Sequence, residues 1–141
     1  MILTLELLGI GCLGYNTIKD IKTKTLSWLF IILMTLFGVM LRVTKGCLWS
    51  MDTLYVILPG IIFLVISFVT NEVIGYGDGI ILIPIGLYSS VLEIWRIVLL
   101  TVFSAGIIAL FLLTVVKKKK EYELPMVPFF LFYYILERWF I

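Results

Sequence analysis

LYVILPGIIFLVISFV, residues Leu54–Val69, decides the fold. It carries no charged residue, and its apolar positions run on without alternating with polar ones. A half-buried strand alternates, as does a strand of a membrane β-barrel. An uninterrupted run of this length is a helix apolar all round. About 20 such residues cross a bilayer, and about 17 suffice.

Five further apolar runs flank it: Met1–Ile18, Leu26–Leu41, Ile80–Leu92, Ile94–Val116 and Leu124–Ile141. The first is interrupted by Glu6 and Asn16, and the fourth is short and holds Pro84 and Gly86. The last has Pro125 and Pro128 in its first turns. The expected fold is an all-α integral membrane protein, a bundle of about six transmembrane helices in one domain spanning residues 1–141. The chain is 62% apolar and 14% charged over 141 residues. Soluble domains carry about 45–50% apolar and about 25% charged residues. An ordinary cytosolic enzyme is therefore not expected.

The polar segments between runs set the orientation. Lys19, Lys22, Lys24 and Lys117–Lys120 fall on one side; Arg42, Lys45, Arg96 and Arg138 fall on the other. The positive-inside rule puts the lysine-rich side in the cytoplasm and both termini outside, in a multi-pass plasma-membrane protein. No basic stretch precedes the first run and no small-residue cleavage site follows it, so a signal peptide is not expected. The net charge of +2 is too small for nucleic-acid binding. Two cysteines, Cys12 and Cys47, and no histidine offer no zinc pattern, so no metal and no organic cofactor are expected.

Two aspartates stand at cytoplasmic ends of runs: Asp20 after the first and Asp78 before the fourth. Acids near membrane depth are expensive and usually functional. Two carboxylates brought together share a proton, and so offer an acid and a base at once. Asp78 lies in Gly75-Tyr76-Gly77-Asp78-Gly79. Those glycines predict a helix-breaking loop that presents the carboxylate. The competing expectation is that each aspartate simply caps a helix end.

In order along the chain, DIKTKTL (Asp20–Leu26), IGYGDGIILIPIGLY (Ile74–Tyr88) and LPMVPFFLFYYI (Leu124–Ile135) resemble the motifs of the type IV prepilin leader peptidases, membrane aspartyl proteases of the GxGD type. The resemblance implies a catalytic pair, Asp20 and Asp78, with Gly75, Gly77 and Gly79 shaping the loop. Lys22, Lys24, Tyr76, Pro125 and Pro128 within these motifs, and Glu72 just before the second, are the expected substrate contacts. It implies a type IV pilin-like precursor as partner, cut at the cytoplasmic face, with surrounding lipid and no cofactor. Leu26 and Ser27 stand where the family commonly has Ile-Pro, and Ile80 where it often has Lys. No cysteine-bearing cytoplasmic segment is seen, so a short form that cleaves without N-methylating is expected.

Two other readings use the same residues. GYGD also occurs in potassium-channel filters, but the filter's Thr position is Val73 and the segment falls on the lysine-rich side. A non-catalytic membrane scaffold would explain the hydropathy without using Asp20. Gly9-Ile10-Gly11-Cys12-Leu13-Gly14 matches a dinucleotide fingerprint, but inside an apolar run it predicts close helix packing instead.

Overall fold

The computed structural model describes residues 2–70, 75–115 and 124–140. Glu72, Lys117–Lys120, Glu121 and Glu123 lie outside the described residues. Among the described residues the chain is all-helical: α1 (Ile2–Thr23), α2 (Trp28–Thr44), α3 (Met51–Val69), α4 (Tyr76–Tyr88), α5 (Val91–Thr114) and α6 (Val127–Phe140). Each apolar run has become a helix. Two are long and apolar enough to cross a membrane: Met51–Val69, and Val91–Leu112 within α5, both at mean hydropathy 2.2. α2 and α4 are apolar but shorter.

α4 is the centre of the bundle. It packs on α3 most extensively, and also on α2 and α5. Gly79, Ile81, Leu82 and Pro84 to Tyr88 are all buried, so this helix is covered on every side. The α3–α4 seam is backbone against backbone. A Cβ at Gly86 would lie 2.1 Å from the Val56 carbonyl oxygen, and one at Gly79 would lie 2.9 Å from the Leu64 amide nitrogen. Gly60 of α3 meets Ile83. Val56, Gly60 and Leu64 thus pair with Gly86, Ile83 and Gly79, so the helices run antiparallel. Small residues are what permit this approach.

The far end of α4 is closed by Arg42 of α2. Its Nε donates to the Leu87 carbonyl at 3.0 Å, and its Nη2 to the carbonyls of Gly86 and Ser89. A helix ends with carbonyls that lack intrahelical partners, and burying them unbonded costs free energy. The guanidinium supplies three bonds there and is itself buried. The turn between α4 and α5 falls at Ser89–Ser90, not at Glu93, where the apolar runs Ile80–Leu92 and Ile94–Val116 divide. Ser90 and Glu93 form a reciprocal capping box that starts α5 at Val91.

Glu6 marks the same end. It pairs with Lys45 at 3.5 Å and with Arg138, while the buried Glu137 pairs with Arg96. Of the glycines in the first run, only Gly9 meets a neighbour, the Tyr88 ring of α4; Gly11 and Gly14 face open space.

Candidate active site

α1 does not stop where its apolar run stops. It continues through Asp20 to Thr23, so Asp20 is carried on the last turns of a helix. Lys24 then takes the left-handed conformation, φ 51°, and its amide bonds back to the Asp20 carbonyl at 2.9 Å. Such a residue ends a helix by supplying a partner for an orphan carbonyl.

Asp20 is buried at 9% exposure, one turn beyond Asn16, which is wholly buried on the same face. Both reach the start of another helix. The Asn16 Oδ1 accepts the Ser27 amide, at the N-cap of α2, at 2.8 Å. The Asp20 Oδ2 accepts the Val127 amide, the first of α6, at 3.3 Å. Asn16 was read from the sequence only as an interruption. Its position four residues before Asp20 was the available sign that both share an inward face.

The residues expected to form a loop, Gly75 to Gly79, do not form one. Only Gly75 lies outside α4, as its N-cap; Tyr76, Gly77, Asp78 and Gly79 form the first helical turn. Neither Gly75 nor Gly77 has a positive φ. Each glycine in a helix costs up to about 1 kcal/mol relative to alanine. The close seam with Leu64 offsets that at Gly79, and the Leu26 side chain packs directly over Gly77. At Gly75 a Cβ would meet only the Asp78 Oδ2, at an ordinary 3.7 Å. Asp78 is thus carried on the first turn of α4. The extended, carbonyl-lined backbone of an ion filter is not what Tyr76 to Gly79 adopt.

Asp20 and Asp78 lie at one end of the bundle. α1 and α4 run antiparallel and touch where Gly9 meets Tyr88. From that contact, at about 1.5 Å rise per residue, Asp20 lies about 16 Å along α1 and Asp78 about 15 Å back along α4. The two carboxylates are therefore level. Both lie outside the apolar runs, and the charge of one reaches the other. Burial pushes the Asp78 carboxyl up to about 7, and the negative charge of Asp20 adds to the rise. Burial also raises Asp20, and the Val127 amide and the Lys24 ammonium offset only part of that rise. Asp78 therefore keeps a proton well above the ordinary carboxylate range, while Asp20 is the member whose anion has partners, the Val127 amide and the Lys24 ammonium.

The other expected site residues divide. Leu26 joins the site through Gly77, and Lys19 holds the Leu26 carbonyl at 3.4 Å. Lys22 is exposed on the last turn of α1, Lys24 is exposed just beyond it, and Tyr76 is half-buried on α4. Pro125 precedes α6 and Pro128 lies in its first turn, flanking the Val127 amide that Asp20 accepts. Among the described residues no group of three His, Cys, Asp or Glu side chains is placed to hold a metal ion.

A scan against protein-family models finds no match. Comparison with curated proteins and with solved structures finds none either.

Proposed function

We propose that this chain is a multi-pass membrane aspartyl endopeptidase of the prepilin peptidase type, working through Asp20 and Asp78. The observation that carries the reading is the pair itself. Two carboxylates lie at one end of the bundle, both raised above the ordinary range by burial, Asp78 to about 7, with the charge of Asp20 adding to the rise of Asp78. The motif order supports the substrate class, a type IV pilin-like precursor cut at the cytoplasmic edge of its apolar helix.

Membrane placement is supported by the outer surface. Only 33% of the apolar window of α3 and 28% of that of α5 is buried. Leu54, Val65, Phe68, Leu99, Phe103 and Leu110 are all exposed. Contiguous apolar surface of this kind is disfavoured in water and suits lipid. In this reading the apolar runs of all six helices are membrane-embedded, and Asp20 and Asp78, outside those runs, stand at the membrane edge. The short α4 lies within a jacket of its neighbours, and the Asp20 end faces the cytoplasm.

Water held between the carboxylates attacks the scissile carbonyl. Ionised Asp20 takes a proton from that water as the new C–O bond forms. Protonated Asp78 donates a hydrogen bond to the carbonyl oxygen, where negative charge develops. Collapse breaks the C–N bond, and the proton passes to the leaving amine. Asp20 and Asp78 end the cycle sharing one proton, as they began it. Neither metal nor organic cofactor takes part.

The test is co-expression with a type IV prepilin, scored for leader removal. Cleavage by the native chain and none by Asp20→Asn or Asp78→Asn is expected. Undiminished cleavage in either variant would sink the dyad mechanism.

A further inference from the structure

At the end of the bundle opposite Asp20 and Asp78 there is a cavity of about 250 Å³, between the ends of α2 and α4 and the start of α5, with α6 alongside. Arg42, Lys45 and Arg138 line it, against one lining carboxylate, Glu93. Arg42 spends its bonds on neutral carbonyls. Lys45 and Arg138 share a single oxygen, Oε1 of Glu6, so one carboxylate serves two cations. The Glu93 carboxylate is engaged by the Ser90 amide at 2.8 Å. Asp52 acts on Arg42 through space without lining the cavity. The cavity wall therefore carries more positive charge than its own carboxylates meet.

The same end carries exposed aromatic residues. Trp49, in the connection after α2, and Trp139 and Phe140, at the end of α6, are 96%, 70% and 83% exposed. Tryptophan and tyrosine concentrate at the depth of lipid headgroups. A guanidinium and an ammonium facing one space suit a tetrahedral anion with several acceptor oxygens.

We propose that this cavity binds a phosphate group, carried either by a lipid headgroup or by free phosphate. The proposal does not depend on the peptidase reading, because it uses none of the residues at the Asp20 end. Glu6 is the internal competitor. It occupies Lys45 and Arg138 when the cavity is empty and yields them in part when phosphate enters.

The experiment measures binding to the purified full chain in two arms. One titrates inorganic phosphate in detergent. The other compares nanodiscs of phosphatidylglycerol with nanodiscs of a phosphate-free galactolipid, scoring lipid retained on the protein. Glu6→Gln frees both cations and should tighten phosphate binding. Lys45→Gln combined with Arg138→Gln should weaken it by about tenfold or more, as loss of hydrogen bonds to charged groups predicts. Opposite shifts in the two variants cannot both come from unfolding. Saturation by inorganic phosphate alone identifies the free ion; selective retention of phosphatidylglycerol identifies the headgroup. Equal affinity in native chain and both variants, or no binding in either arm, overturns the proposal.

Discussion

Asp20, near the end of α1, accepts the first amide of α6, that of Val127, at 3.3 Å. The two residues are far apart in sequence, and the bond fixes where α6 begins. A proposed catalytic carboxylate is thus also a helix clasp. The two duties separate by substitution, because asparagine keeps the acceptor oxygen and removes the acid.

Asp20→Asn should therefore abolish prepilin cleavage with little change in thermal unfolding. Asp20→Ala should lose the clasp as well and unfold more easily, by about 1 kcal/mol, as removal of a capping acceptor costs. Measured melting curves and leader removal for both variants check this. Equal loss of stability in both would leave Asp20 with no role separable from the clasp.

The pH dependence follows from the direction of each shift. Asp78 holds its proton more tightly in the folded chain than in the unfolded one, 3.8 rising to about 7. Its contribution to stability is thus complete below 3.8 and is lost as pH rises through about 7. Activity needs one proton on the pair, so cleavage should fall on the alkaline side near pH 7. It should fall again in acid, once Asp20 is protonated too, giving a bell that belongs to the pair. Asp78→Asn should flatten the stability change over that window. A rate that keeps rising to pH 9 would contradict this assignment.

Glycine-to-alanine changes along α4 should rank by what a Cβ meets. Gly86→Ala drives a methyl into the Val56 carbonyl, and Gly79→Ala into the Leu64 backbone. Each should cost about 1–3 kcal/mol, as overpacking does, with Gly86 the worse. Gly77→Ala meets only the flexible end of Leu26 and should cost less, though cleavage should drop if Asp78 is displaced. Gly75→Ala should be tolerated. Thermal unfolding of the four variants gives the order directly.

Lys24→Gly should stabilise the end of α1. A left-handed residue with a side chain carries a penalty of about 1–2 kcal/mol that glycine lacks. The greater freedom of glycine in the unfolded chain offsets part of that gain. Removing the ammonium also lets the Asp20 carboxyl rise further, since Lys24 pulls it down. The acid side of the activity profile should move to higher pH while the melting temperature holds or increases.

The helices were legible because unbroken apolar runs admit little else. Their ends were not, and particular residues show why. Ser90 and Glu93 carry the spacing of a capping box, yet the apolar run around them drew attention to Glu93 as the turn. The glycines of Gly75 to Gly79 signal helix breaking by their intrinsic cost, but that cost is outweighed by contact with α3, which local sequence does not reveal. Arg42 was legible as a charge on one side of the bundle, and its three bonds to the end of α4 were not, since they join residues distant along the chain. The candidate pair was legible as two acids at the ends of apolar runs and in the order of the motifs around them. The spacing of Asn16 and Asp20 marks a shared inward face, but their bonds to the Ser27 and Val127 amides join separate helices, and that spacing does not encode them.

Arg42 grips α4 at one end, and Asp78 sits in its first turn at the other. The thirteen residues of that helix therefore act as a gauge block between an anchor and a working edge. Insertion of one residue between Gly79 and Gly86 would turn the edge by about 100° and shift it by about 1.5 Å relative to the anchor. Chain length in this interval is a design variable distinct from side-chain identity. Point substitutions leave the gauge unchanged, whereas a single-residue insertion or deletion resets it.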